Sequence, residues 1–206
     1  MCIRDRLGTN VSTPTKIGFF GGSFDPIHLG HTAVIEQAVK GFGLEKVLLC
    51  PAYHAPLRSH KPIFEPKQRL EMAELVAQSQ PRVQVFDFEI KQKKISYTYD
   101  TIRAVKKKYP SKEVFLLIGF DQFERLANWK WIKELCAEVK FLVFARKYKN
   151  PPSKPLEEVD YFFMQNPLID ISSSQIRNLI LNGKSISEFV PEVIFSYLRK
   201  NNLLLM

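Results

Sequence analysis

Two adjoining stretches decide how this chain folds: Lys16-Ile-Gly-Phe-Phe20, and directly after it Gly21-Gly-Ser-Phe-Asp-Pro-Ile-His-Leu-Gly-His31. The first is a short apolar run that reads as a strand, and the glycines after it read as a turn. Beyond them, Thr32-Ala-Val-Ile-Glu-Gln-Ala-Val-Lys40 carries apolar residues at helical spacing. Glycines let a ligand approach the backbone, and a helix N-terminus offers free N–H groups with positive partial charge. His28 and His31 add two donors at that end. The combination suits an anion, a phosphate chain above all. The plainer reading is a strand–turn–helix with two capping histidines. The stretch lacks the Lys-Ser/Thr ending of a P-loop and the G-x-G-x-x-G spacing of a dinucleotide turn.

Outward from this turn, short β-rich runs alternate with helical patterns. Strands are predicted at 16–21, 46–50, 82–87, 113–118, 139–144 and 159–164. Helices are predicted at 30–41, 66–79, 97–109, 121–136, 173–182 and 191–200. Such alternation implies an α/β, Rossmann-like doubly wound parallel sheet with helices on both faces and a small C-terminal helical extension. Ligands of these sheets bind beyond the carboxyl ends of the strands, where the Gly21–His31 turn lies. Pro66 and Pro191 suit the first turns of helices, and Gly183 after Asn182 suits a helix stop. The long loop from Ala52 to Glu65 reads as functional, and Asn150-Pro-Pro-Ser-Lys-Pro155 as an exposed connector.

The 206 residues suit one domain over 16–206, with its C-terminal helical part at about 171–206. Residues 1–15 fit no element and read as a disordered tail or an artefact. They hold no apolar core of a signal peptide, and no stretch approaches the ~20 apolar residues of a membrane span. Three scattered cysteines, Cys2, Cys50 and Cys136, have no metal-ligand spacing and suit a reduced, cytoplasmic compartment. Cys50 and Cys136 read as buried structural thiols. The net charge of +9 suits anionic small substrates better than nucleic acid. Its densest run, Lys106-Lys-Lys108, ends a predicted helix, and no basic stripe is interleaved with aromatics. The pattern implies no nucleic-acid or membrane partner and is compatible with a homo-oligomer.

A second anchor lies at Asp170-Ile-Ser-Ser-Ser-Gln-Ile-Arg177. Its serines either cap a helix or form, with Arg177, a second phosphate site. The two anchors together resemble the H-x-G-H and I-S-S-[ST]-x-I-R signatures of the nucleotidyltransferase superfamily. Three further stretches resemble its bacterial nicotinate-nucleotide adenylyltransferase branch: Ser96-Tyr-Thr-Tyr-Asp-Thr101, Gly119-Phe-Asp121 and Asn128-Trp-Lys-Trp-Ile-Lys-Glu-Leu135. The likeness runs from Lys16 through Val190-Pro-Glu-Val-Ile-Phe-Ser-Tyr-Leu198. The chain departs from it in having Ser23 where Thr is usual. It departs again at Ala55-Pro-Leu-Arg58, where Leu57 replaces a histidine and Arg58 keeps the positive charge. Other members of the superfamily, which adenylate phosphopantetheine or nicotinamide mononucleotide, and a non-catalytic nucleotide-binding regulator are the rival readings.

The resemblance implies adenylyl transfer from ATP to nicotinate mononucleotide, yielding deamido-NAD and pyrophosphate. It implies catalytic roles for His28, His31 and Arg177. Around ATP it places Gly21, Gly22, Ser23, Phe24, His28, Gly30 and His31 from the first anchor. From later in the chain it adds Gly119, Asp121, Ile171, Ser172, Ser173, Ser174 and Arg177. For the acceptor it implies Arg58, Tyr97, Thr98, Trp129 and Arg146, with Trp129 stacked on the pyridine ring. Tyr97 and Thr98 read equally well as a packed ring and a helix cap. Trp129 and Trp131, two apart on the predicted helix, face different sides, one of them the core. The implied metal is Mg²⁺ delivered with ATP, with no site on the protein itself.

Overall fold

A computed structural model describes residues 15–54, 61–145, 151–165 and 171–204. It contains a six-stranded, all-parallel sheet: β1 (Lys16–Gly22), β2 (Lys46–Pro51), β3 (Val83–Val85), β4 (Glu113–Gly119), β5 (Lys140–Phe144) and β6 (Tyr161–Met164). The strand order is β3-β2-β1-β4-β5-β6. The order reverses between β1 and β4, so a crevice opens at their carboxyl ends. β1 runs straight into the Gly21–His31 turn there.

Alternation along each strand supplies a core on both faces, as a parallel sheet covered by helices requires. Val47 and Leu49 of β2, Phe115 and Leu117 of β4, and Leu142 and Phe144 of β5 enter one cluster. Leu48 and Cys50, Leu116 and Ile118, and Phe141 and Val143 enter the other. Helices α1 (Leu29–Gly41) and α2 (Pro66–Ser79) cover the first face, joined by α7 (Ser173–Leu181) and α8 (Glu192–Lys200). Ile176, Ile180, Ile194 and Leu198 share that cluster with Ile35 and Met72, so the C-terminal helices belong to the same core. Helices α4 (Thr98–Lys108) and α6 (Ile132–Glu138) cover the second face. No described helix is long and apolar enough to cross a membrane.

Two features depart from the pattern read in the sequence. A short helix, α3 (Phe88–Gln92), follows β3 where no element is predicted. The helix predicted at 121–136 is broken into α5 (Phe120–Phe123), a 3₁₀ turn (Leu126–Asn128) and α6. Phe123, Leu126, Ile132 and Leu135 are all buried at helical spacing, so the pattern survives the break. Apolar spacing reports which side chains face the sheet, not whether the backbone ladder is continuous. Trp131 ends the ladder: it caps α6 with φ +57°, in the left-handed region. Pro191 caps α8 from outside its first turn. Gly183, at φ +63°, stops α7 as expected. The N-terminal tail to residue 14 and the Ala55–His60 part of the long loop lie outside the described residues.

Candidate active site

At the end of β1 the chain turns sharply through Phe24, which has φ +49°. A bulky residue rarely adopts that conformation. Here the ring is 2% exposed and fixed edge-on to Phe20, with centroids 5.4 Å apart, and to His31, at 5.0 Å. Phe24 therefore props the His31 imidazole. His28 caps α1, and its ring stacks on that of His31 with centroids 3.7 Å apart. The backbone N–H of His28 donates to Nδ1 of His31 at 3.2 Å. Because Nδ1 accepts, the ring proton of neutral His31 resides on Nε2. Gly30 makes the stack possible: a Cβ there would lie 3.0 Å from Cε1 and Nδ1 of His28.

The amides opening α1 are unequally used. That of Leu29 donates to Phe189 O, and those of His31 and Thr32 donate to His28 O. No described group accepts the N–H of Gly30, which lines the cavity. The turn thus presents a free amide beside two imidazoles, an anion cradle.

Two buried arginines hold this cradle from behind. Arg69 of α2, 1% exposed, donates to the carbonyl oxygens of Ser23 (2.8 Å), Phe64 (3.1 Å) and Tyr53 (3.1 Å), and to that of Ala52. It ties the turn after β1 to the loop after β2. Arg177 of α7 donates from Nη1 to Asp25 O at 3.1 Å and from Nη2 to Ser174 Oγ at 2.8 Å. It also lies 3.6 Å from Oδ2 of Asp25, which is fully buried. Asp25 in turn accepts the N–H groups of Ile63 (3.3 Å) and Phe64 (3.0 Å).

One cavity of about 520 Å³ runs through the site. It brings together Gly21, Gly22, Ser23, Phe24, His28, Gly30, His31, Gly119, Asp121 and Ile171 from the expected nucleotide set. It also brings in Tyr97, Thr98 and Trp129 from the expected acceptor set. Ser172, Ser173, Ser174 and Arg177 do not line it. Ser172 Oγ accepts from Gln175 N at 3.2 Å as the cap of α7, and Ser173 Oγ donates to Pro26 O at 3.2 Å. Arg58 and Arg146 lie outside the described residues.

Helix α4 begins at the cavity wall, with Tyr97 as its cap. The amides of Thr98, Tyr99 and Asp100 have no acceptor among the described residues. Neither tryptophan sits within a helix, and neither is fully buried, contrary to the pattern's expectation. Trp129 ends the 3₁₀ turn, packs on the second core cluster and lines the cavity. Its Nε1 is buried with no hydrogen-bond partner. Trp131 is 37% exposed, edge-on to Tyr97 at 5.2 Å, with the Lys130 ammonium 4.2 Å from its ring centroid.

Two residues of this site escape a reading of the sequence. Arg69 looks like a polar helix residue, yet Met72, Ala73 and Val76 follow it at i+3, i+4 and i+7, which places it on the buried face. Glu89, on the unpredicted α3, is 7% exposed and lines the cavity. Burial pushes its carboxyl up to about 7, against a hydrogen bond from Thr101 Oγ1 at 2.8 Å that lowers it. Nothing local in Phe86-Asp-Phe-Glu-Ile90 marks it.

A cytidylyltransferase-like family model matches residues 19–179, spanning both anchors. A probable nicotinate-nucleotide adenylyltransferase of Hydrogenobaculum sp. (strain Y04AAS1) is 35% identical over 187 residues, covering 91% of this chain and 97% of the relative. This chain belongs to the nicotinate-nucleotide adenylyltransferase family. A relative of the same name from Clostridium botulinum (strain Okra / Type B1) is 34% identical over 192 residues, covering 96% of its length. Within the family's fold, the Plasmodium falciparum nicotinic acid mononucleotide adenylyltransferase, solved with NaAD, superposes with a TM-score of 0.78. It is 21% identical and covers 92% of this chain and 97% of its own.

Proposed function

We propose that the protein joins ATP and nicotinate mononucleotide, giving deamido-NAD and pyrophosphate, a step of cytoplasmic NAD biosynthesis. The observation that carries this is the single cavity linking the Gly21–His31 cradle to the α4 N-terminus and Trp129. A dinucleotide product needs both ends of one cavity: phosphate donors in the middle and an aromatic face with free amides at the acceptor end.

The acceptor's phosphate oxygen attacks the α-phosphorus of ATP, the bond to the β-phosphate oxygen breaks, and pyrophosphate leaves. The attacking phosphate, with a second pKa of about 6, is already ionised near neutrality, so no base need remove a proton. Catalysis is then positioning and charge stabilisation. His31 Nε2–H, the Gly30 amide and His28 donate to phosphate oxygens as charge builds. Gly119 and Asp121 face the adenosine ribose or the junction. The α7 N-terminus, entered through Ile171, flanks the outer phosphates, and Arg177 acts through Asp25 to hold the cradle. Trp129 stacks on the pyridine ring, while Tyr97 and Thr98 meet its carboxylate.

Among the described residues, no three His, Cys, Asp or Glu side chains group to hold a metal ion. In this reading an Mg²⁺ ion would enter on the triphosphate, keeping phosphate and water ligands. Bound there, it would supply positive charge that offsets the charge building on the pyrophosphate.

Pyrophosphate release with ATP and Mg²⁺ tests the proposal, with nicotinate mononucleotide, nicotinamide mononucleotide and phosphopantetheine compared side by side. Turnover fastest with the first is expected. Turnover with phosphopantetheine alone, or ATP binding without release, overturns the reading.

A further inference from the structure

The cavity contains a buried carboxyl for which adenylyl transfer has no use. Thr101 lies one turn of α4 beyond Thr98, about 5 Å along the helix axis. Its Oγ1 donates to Glu89 Oε1 at 2.8 Å. The Glu89 carboxyl is thereby tethered to the same helix end that meets the acceptor ring, beside Ser96, Tyr97 and Trp129. No described residue donates to Glu89 Oε2.

The charges nearby do not neutralise it. Helix α3 packs on β2, α2 and α4. On α3 itself, Asp87 is paired with Lys91 at 2.8 Å. From β2, the facing group is the Cys50 thiol, which burial pushes up and keeps neutral. On α2, Arg69 is engaged with backbone carbonyls, Lys67 lies 3.8 Å from Glu71, and Glu74 is exposed. On α4, Asp100 is exposed and the Tyr97 ring carries the Lys130 ammonium at 4.6 Å. Asp121, a second acid, and His31 also line the cavity.

Resting on the acceptor proposed above, we propose that Glu89 sets the preference between a carboxylate and a carboxamide on the acceptor ring. In its acid form Oε2–H donates to a carboxylate. In its ionised form it repels that carboxylate and accepts from an amide N–H. Burial places the change between these forms near neutrality, at about 7. The protein then favours the acid acceptor most strongly below that point.

The test is the ratio of kcat/KM for nicotinate over nicotinamide mononucleotide, measured from about pH 6 to about pH 8.5. Both acceptors carry the same phosphate, so its titration cancels. The wild-type ratio is expected to fall by up to about thirtyfold across this range, as one ionisation centred near 7 requires. In Glu89→Gln the ratio is flat. In Thr101→Val, which loses the hydrogen bond favouring the anion, the fall moves to higher pH. A residue that only supports the fold changes both acceptors by one factor at every pH. A flat wild-type ratio, or an equal fall in both variants, overturns the role of Glu89 while leaving the enzyme reading intact. Turnover of neither acceptor overturns that reading and this one together.

Discussion

Nδ1 of His31 accepts the backbone N–H of His28 at 3.2 Å, so one contact closes the first turn of α1 and leaves the ring proton of the neutral imidazole on Nε2. The histidines are therefore not two independent donors. The first supplies the cap and the stacking surface, and the second supplies a donor of defined tautomer.

His31→Ala removes that donor and is expected to lower kcat by about 10²–10³-fold, the cost of losing one transition-state donor. The lost cap costs about 1 kcal/mol of stability. Steady-state kinetics beside a thermal melt checks both. A variant with near-normal kcat removes His31 from the mechanism.

Gly30→Ala places a methyl group against the His28 ring at 3.0 Å. Alanine favours the helix by about 0.8–1.0 kcal/mol over glycine, which offsets the crowding. The expected result is a melting temperature within a few degrees of wild type and a kcat reduced by about tenfold or more. Equal activity would show that the His28–His31 stack tolerates displacement.

Arg69→Lys keeps the charge but cannot reach all the carbonyls that the guanidinium now bridges. Buried carbonyls left without donors cost about 1–3 kcal/mol each. Denaturant unfolding should show a loss of about 2–4 kcal/mol, with KM raised for ATP because the Ser23 turn loosens. An unchanged midpoint contradicts the bridging role.

Arg177→Ala removes the guanidinium that lies 3.6 Å from the fully buried Asp25 carboxylate. Breaking such a pair costs about 3–5 kcal/mol, and the main effect is expected on stability. Activity should fall through loss of the cradle. A variant of wild-type stability with only KM for ATP raised would instead place Arg177 on the triphosphate.

Glu89 links stability to pH. Its folded pKa, about 7, exceeds the ordinary value of 4.5, so the fold binds the proton more tightly than the unfolded chain. The stabilisation is complete below the ordinary value and lost as pH rises through about 7. Glu89→Gln removes this loss. It should be more stable than wild type by about 1–3 kcal/mol at about pH 8 and no more stable at about pH 5. Denaturant midpoints at the two pH values decide it.

Much of the fold is legible in the sequence because its strands are apolar runs and its helices keep their period. Five of the six predicted helices keep their place within one or two residues, and all six strands are present. The exception spans 121–136. There the positions of Phe123, Leu126, Ile132 and Leu135 are right and the continuity is wrong, because Trp131 enters the left-handed region. Of the candidate site, the cradle and the α4 end meet in one cavity as the motifs imply. Of the second anchor, Ser173 and Arg177 turn their side chains toward Pro26 and Asp25, while Ser172 caps α7 at Gln175.

The sequence by itself determined the strand–turn–helix at Lys16–Lys40, the α/β alternation and the residue types at the phosphate end, since each depends on neighbours a few positions apart. The tertiary structure alone decided the partners of Arg69 and Arg177, the exposure of Trp131 and the burial of Glu89. Those depend on residues such as Ser23 and Asp25, 46 and 152 positions away, brought close because α2 and α7 pack into the same core cluster. Burial is a property of the assembled core. No local pattern shows a carboxyl losing its water.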